Sequence, residues 1–119
     1  MEVITLTGNP KSTNHCYKYR CAGNFPRMYM TAEGKGIKKD YCYQAKSQWR
    51  KKPIEGDIAV YIDIYFGDKR KRDIDNYNKL LLDSLTGVLW VDDVQIQEMM
   101  ITKGYDKKNP RIELKLSQL

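Results

Sequence analysis

An alternating stretch near the middle of the chain constrains the fold most strongly. Between Asp57 and Phe66 every second residue is a large apolar one: Ile58, Val60, Ile62, Ile64 and Phe66. Successive side chains of a strand point to opposite faces of a sheet, so this period predicts a strand with one buried face. Such a strand requires neighbouring strands and a second layer that covers the apolar face.

The remaining hydrophobic patterns predict an α+β fold in the order β-α-β-α-β-β. The elements expected besides the alternating strand are a strand over residues 2–7, helices over residues 31–52 and 74–86, and strands over residues 94–103 and 111–117. We expect the last two strands to form a hairpin with a long loop and residues 15–30 to be irregular. These elements predict one domain over residues 1–119, a mixed sheet with two main helices packed on one face.

Three glycines are expected to affect the ends and the stability of the predicted helices. Gly87 follows the second helical pattern directly and is expected to terminate that helix. Gly34 and Gly36 lie near the start of the first helix, and each is expected to weaken it by about 1 kcal/mol relative to Ala.

A stripe of Tyr41, Ala45 and Trp49 at helical spacing predicts the buried face of the first helix.

Composition and charge exclude several classes of protein. The chain has 119 residues with a net charge of +6, 41% hydrophobic and 30% charged residues, the balance of a globular rather than a disordered protein. No apolar run approaches the length of about 18 residues that a membrane-spanning helix needs, and the N-terminus does not resemble a secretory signal. We therefore expect a cytoplasmic protein that has no membrane partner.

The cysteines predict reduced thiols rather than disulfides. Cys16, Cys21 and Cys42 are an odd number, in a chain without an export signal. The alternative is a functional one, a zinc site built from these cysteines and His15, the one histidine. Their spacing matches no common zinc module.

The most informative segment places four cations directly before two carboxylates. Residues 69–72 read Lys-Arg-Lys-Arg, Asp73 and Asp75 follow, and Asp92 and Asp93 lie beyond the second predicted helix. Gathering carboxylates costs free energy that a divalent cation removes, and an all-oxygen set favours Mg²⁺ or Mn²⁺. A cationic run beside such a cluster suits a polyanionic substrate such as nucleic acid.

Plainer interpretations of the same residues remain open. Asp73 or Asp75 is also compatible with an N-cap or first-turn acid of the helix, and Lys79 with a surface ion-pair partner of Asp75. Asp92 and Asp93 are also compatible with a simple turn, and residues 69–72 with a solvated one. On these interpretations the chain is a non-catalytic, basic DNA-binding module.

Taken together, several segments resemble the RusA family of Holliday junction resolvases. They are residues 70–79 (RKRDIDNYNK), 83–86 (DSLT) and 90–95 (WVDDVQ), with residues 10–14 (PKSTN) after the first strand and 31–34 (TAEG) at the first helix. Asp-x-Asp-Asn-x-x-Lys followed by Trp-x-Asp-Asp is far more specific than its parts, and the likeness extends over nearly the whole chain.

The resemblance implies a homodimeric, Mg²⁺-dependent endonuclease that cuts four-way DNA junctions, with Mn²⁺ as a possible substitute. Proteins of this kind act in DNA recombination and repair and are often encoded by bacteria, phages or prophages. It further implies metal-binding and catalytic roles for Asp73, Asp75 and Asp93, and a catalytic role for Lys79. The DNA-binding residues expected are Asn14, Lys69, Arg70, Lys71 and Arg72. Sequence does not separate junctions from other branched DNA or from RNA as the substrate.

Overall fold

The computed structural model describes residues 3–23 and 25–119 and has the expected α+β architecture. Its helices and strands are β1 (Val3–Thr7), β2 (Tyr17–Ala22), β3 (Phe25–Met30), α1 (Ala32–Gln48), β4 (Ile58–Phe66), α2 (Asn78–Leu85), β5 (Ile96–Tyr105) and β6 (Arg111–Gln118). Short 3₁₀ turns at Thr13–His15, Ile74–Tyr77 and Asp93–Gln95 precede β2, α2 and β5. Glu2, with which the first predicted strand began, lies outside the described residues.

The main sheet is mixed, as predicted, and has four strands in the order β1-β6-β4-β5. The alternating strand β4 is central, antiparallel to β6 and parallel to β5. The segment β4-α2-β5 is therefore a βαβ unit whose crossover contains α2. This unit brings the chain back from the end of β4 to the start of β5, and both ends of the crossover carry predicted site residues.

The prediction of a hairpin between the last two strands was wrong, because β4 lies between β5 and β6. Two steps of about 4.8 Å separate strands that flank a third one, and the loop between Tyr105 and Arg111 is long enough to span them. The strand with the strongest apolar alternation occupies the centre, where strands flank it on both sides.

One face of the sheet forms the core with both helices. The alternating residues of β4 are at most 4% exposed, and they pack with Tyr41 and Ala45 of α1, with Trp49 directly after it, and with Leu81 and Leu85 of α2. This confirms the apolar stripe expected on the first helix and the packing of both helices on one face. The helices thus position the start of α2, which carries Lys79, relative to the sheet.

Both helices are shorter than predicted. The first one ends at Gln48 rather than near residue 52, because Trp49 adopts an extended backbone and its indole N–H donates to the carbonyl of Lys52 at 3.2 Å. The second predicted helix begins as the 3₁₀ turn Ile74–Tyr77 and becomes α-helical only from Asn78. Gly87 follows it with a φ of 90°, which confirms its role in ending the helix.

Residues 17–22 and 25–30, within the segment expected to be irregular, form the antiparallel hairpin β2–β3, a two-stranded sheet of its own. Its turn includes Gly23, whose φ of 67° favours glycine. Most of β3 is exposed, so no burial pattern of period two marks the strand in the sequence. Asn24 lies outside the described residues.

The two glycines at the start of α1 differ in their surroundings. A Cβ atom at Gly34 would lie 2.7 Å from the carbonyl oxygen of Cys16 and 2.9 Å from its Cβ, whereas a Cβ at Gly36 would meet nothing within 4 Å. The Cys16 carbonyl also accepts the Thr31 N–H at 2.8 Å, so it is held in place. Gly34 is therefore required by close packing and is more than a weakness of the helix.

This difference predicts opposite effects of two alanine substitutions. Gly34→Ala should lower the free energy of unfolding by about 1–3 kcal/mol, because the new methyl group overpacks the contact with Cys16. Gly36→Ala, the matched control, should raise it by about 0.5–1 kcal/mol through helix propensity alone. Urea denaturation followed by circular dichroism measures both, and a stabilised Gly34→Ala variant would contradict the packing argument.

Two further expectations concerned the cysteines and the membrane. Cys16, Cys21 and Cys42 carry free thiols, with Cys16 buried and Cys21 exposed. The side chain of His15, the fourth member of the alternative zinc site, lies outside the described residues. In the part of the chain described, neither helix is long and apolar enough to cross a membrane.

Candidate active site

The loop after β4 is held in place by Arg72. Its guanidinium forms an ion pair with Asp68 at 2.7 Å and lies 4.3 Å from the centre of the Phe66 ring. The Lys103 ammonium of β5 donates to the Arg72 carbonyl at 2.6 Å. Arg72 is thus partly buried and positions the loop, whereas Arg70 remains largely exposed to solvent.

A groove of about 620 Å³ opens beside this loop. Its lining combines three cations, one carboxylate and several neutral groups: Ser12, Asn14, Lys71, Arg72, Asp73, Asn76, Tyr77 and Lys103. Three segments far apart in sequence meet here, namely the loop after β1, the segment before α2 and the edge strand β5. Such a groove can bind a phosphate backbone through its cations and leave the Asp73 carboxylate beside it.

A second group of polar side chains lies on α2. The Lys79 ammonium is 3.5 Å from an Asp83 carboxylate oxygen and 4.8 Å from the centre of the Tyr17 ring. The Tyr17 hydroxyl donates a hydrogen bond to the same Asp83 oxygen. Burial, followed by this hydrogen bond and the Asp83 charge, raises the pKa of Tyr17. The phenol therefore stays protonated, and the first residue of β2 is tied to α2.

A capping box orders the turn that contains Asp92 and Asp93. The Asp92 carboxylate accepts the Val94 N–H at 3.1 Å, and the Gln95 side-chain oxygen accepts the Asp92 N–H at 2.8 Å. The Gln95 amide also donates to the carbonyls of Ile54 and Gly56, both at 2.8 Å. The expectation of a turn is thus confirmed for Asp92, which serves as a cap.

The surroundings of Asp93 are crowded with negative charge. A hydrogen bond with Asp92, some loss of hydration, and repulsion from Asp92 and Asp83 raise the pKa of Asp93, although its side chain is exposed, and the Lys79 ammonium opposes the shift. Lys79, Asp83, Asp92 and Asp93 therefore form one electrostatic cluster, although α2 and the turn are separate in sequence. A cation beside Asp93 would relieve the repulsion.

The predicted metal ligands are not gathered into one site. Asp73 lines the groove together with Lys103, and Asp75 lies in the 3₁₀ turn that follows it. Asp93 lies in the turn before β5, near Lys79, Asp83 and Asp92. Among residues 3–23 and 25–119, no three Asp, Glu, His or Cys side chains are grouped closely enough to hold a metal ion.

The donor chemistry nevertheless fits a hard divalent ion. Magnesium in phosphoryl-transfer sites is commonly held by one or two carboxylates together with substrate phosphates. Asp93, beside Asp92 and in excess negative charge, provides such a carboxylate, and Asp73 offers another beside a cationic groove.

The plainer interpretations are met in part: Asp75 is an acid of the first turn of Ile74–Tyr77, and Asp73 occupies the N-cap position of that turn without a capping hydrogen bond from its side chain. The expected ion pair is different, because Lys79 pairs with Asp83 rather than with Asp75.

Sequence reasoning missed three residues of this region. Asp83 lies four residues after Lys79, a spacing that places both on one helix face and that pointed to the ion pair. Tyr17 and Lys103 belong to β2 and β5, and nothing local in the sequence linked either of them to α2 or to the loop before it. Of the predicted DNA-binding residues, the groove contains Asn14, Lys71 and Arg72, while the Lys69 ammonium lies 5.0 Å from the Tyr105 ring centre.

Comparison with known proteins covers all of these residues. The family model described as Endodeoxyribonuclease RusA matches residues 7–117. The chain belongs to the RusA family. RusA-family relatives named crossover junction endodeoxyribonuclease RusA, from Escherichia coli K12 and from Enterobacteria phage 82, are each 27% identical over 111 residues. A relative of that name from Escherichia coli O139:H28 is 25% identical. Each alignment spans 92% of this chain and 89% of the relative.

Proposed function

We propose that this protein is a Mg²⁺-dependent, structure-selective endodeoxyribonuclease that resolves four-way DNA junctions by paired phosphodiester cleavage. The observation that carries the proposal is the match to the RusA family over residues 7–117, whose relatives are named crossover junction endodeoxyribonucleases. The match includes both the cationic groove and the cluster around Lys79. We place the activity in DNA recombination and repair, in the cytoplasm of a bacterium that encodes the protein itself or through a phage.

The proposed roles follow from charge and position. Asp73, Asp75 and Asp93 are the carboxylates that would hold Mg²⁺, with Mn²⁺ as a substitute, and phosphate oxygens of the bound DNA would complete the ligand set that these side chains do not form by themselves. Lys79 steadies negative charge on the phosphoryl oxygens. A bound divalent ion supplies charge stabilisation at phosphorus and makes water a better nucleophile. The cations of residues 69–72 and the Asn14 amide bind flanking phosphates.

Paired cleavage needs two sites of matched geometry. A single chain carries one set of these residues, so we propose a homodimer in which residues 1–119 of each chain form one nuclease domain. A two-fold axis would place two identical sites against symmetrically opposed strands, matching the symmetry of a four-way junction.

The test is a cleavage assay on a synthetic mobile four-way junction beside a linear duplex of the same sequence, with Mg²⁺ and with chelator. We expect symmetric, paired nicks in the junction with Mg²⁺, none with chelator, and an uncut duplex. Binding without cleavage under every condition would instead identify a non-catalytic DNA-binding module. Equal cleavage of flaps, forks or RNA would identify a nuclease with a different substrate.

A further inference from the structure

The β2–β3 hairpin forms a basic arm at the edge of the candidate site. We propose that the face bearing Lys18, Arg20, Phe25, Arg27 and Tyr29 binds a DNA strand of the branched substrate close to the point of cleavage. Its arginines contact phosphates, and Tyr29 stacks on a base. The inference rests on the proposed function and adds a binding surface to it.

Strand register places these side chains together. Lys18 pairs with Tyr29, Arg20 with Arg27, and Ala22 with Phe25. Directly paired residues of antiparallel strands share one face, and alternate residues along each strand return to it. All three cations of the hairpin therefore lie on one face. The other face carries uncharged residues, namely Tyr17, Tyr19, Cys21, Pro26, Met28 and Met30.

The charge of this arm matches a polyanion. Between Glu2 and Glu33 the sequence contains no acidic residue, whereas it contains Lys11, Lys18, Arg20 and Arg27. Arg20 and Arg27 are paired directly across the strands, an arrangement of like charges that destabilises an isolated hairpin. A phosphate between the two guanidinium groups would remove that repulsion and accept hydrogen bonds from both.

Exposed aromatic rings accompany the cations. Phe25 is 75% exposed and Tyr29 is 41% exposed, and the Arg20 guanidinium lies 5.2 Å from the centre of the Tyr29 ring. Single-stranded nucleic acid is commonly bound by such a combination, in which cations follow the backbone and bases stack on aromatic rings. A branch point supplies unpaired or distorted bases that can stack in this way.

The hairpin begins at the candidate active site. Tyr17, its first residue, donates a hydrogen bond to Asp83 and lies under the Lys79 ammonium. Arg20 follows three residues later, about 10 Å along the strand, a distance similar to three base-pair steps of duplex DNA. The arginine pair therefore lies within the length of a few nucleotides of Lys79, on the hairpin face opposite to the one that carries Tyr17.

The test measures binding of the full-length protein to the four-way junction in chelator over a range of salt concentrations. The Arg20→Gln/Arg27→Gln variant should bind the junction at least about tenfold more weakly. The negative slope of log K against log salt should become shallower by about two. The matched control, Lys52→Gln/Lys115→Gln, removes the same charge from two exposed positions outside the hairpin and should leave the slope close to that of the wild type.

A second pair of variants tests the stacking. Tyr29→Ala should weaken junction binding by about fivefold to 100-fold, whereas Tyr29→Phe, which keeps the ring, should bind as the wild type does. Circular dichroism confirms that each variant is folded. An unchanged salt slope in the arginine variant, or an equal loss in the lysine control, would overturn the proposal.

The outcome is separable from that of the proposed function. If the wild-type protein cuts junctions and the hairpin variants bind them normally, only the hairpin assignment fails. If the wild-type protein neither binds nor cuts DNA, both the proposed function and the assignment of the hairpin are refuted.

Discussion

Replacing Asp75 or Asp93 with Asn is expected to lower junction cleavage by about 10²–10³-fold while junction binding is retained. Asn keeps the size of the side chain but removes the negative charge that would hold a divalent ion. Asp93 is already repelled by Asp92 and Asp83, so the substitution removes repulsion and should leave the fold intact. Single-turnover cleavage with Mg²⁺, and junction binding in chelator, measure the two effects separately.

Asp40→Asn is the matched control for both substitutions. Asp40 is an exposed carboxylate on α1, outside the groove and outside the cluster around Lys79. The same chemical change there should leave cleavage within about twofold of the wild type, since surface changes away from special features have small effects. Unchanged cleavage in Asp75→Asn and Asp93→Asn at matched Mg²⁺ would refute the assigned roles of these carboxylates.

Replacing Trp90 with Ala is expected to lower the free energy of unfolding by about 3–5 kcal/mol, a large part of the stability of an ordinary domain. Trp90 is fully buried, and its indole N–H donates to the Thr86 hydroxyl at 2.9 Å. Its carbonyl accepts the Gly87 N–H at 2.6 Å. It thus links the end of α2 to the turn that carries Asp93. Urea denaturation followed by circular dichroism gives the change directly.

Two further substitutions test which property of Trp90 contributes to the free energy of unfolding. Trp90→Phe keeps most of the apolar volume and loses the indole donor, so it should cost about 1–3 kcal/mol. Val91→Ala, at the exposed neighbouring residue, should change stability by less than about 0.5 kcal/mol. A loss smaller than about 1 kcal/mol in Trp90→Ala would show that this side chain does not anchor the turn.

Local patterns determined the elements of this fold that are buried on one face. The alternation from Ile58 to Phe66 identified β4, and the stripe of Tyr41, Ala45 and Trp49 identified the buried face of α1, because burial imposes the period of the element on the sequence. The hairpin β2–β3 escaped prediction for the same reason, since its residues are largely exposed and no buried face imposes a period.

The candidate site divides in the same way. The motif from Arg70 to Lys79, the pair Asp92 and Asp93, and the cationic run could be recognised from the sequence, since each is contiguous and chemically distinctive. The contacts of Lys79 with Tyr17, the repulsion of Asp93 by neighbouring acids, and the position of β4 between β5 and β6 became visible in the folded molecule. Each of them depends on packing between segments distant along the chain, and such contacts leave no period or spacing in the local sequence.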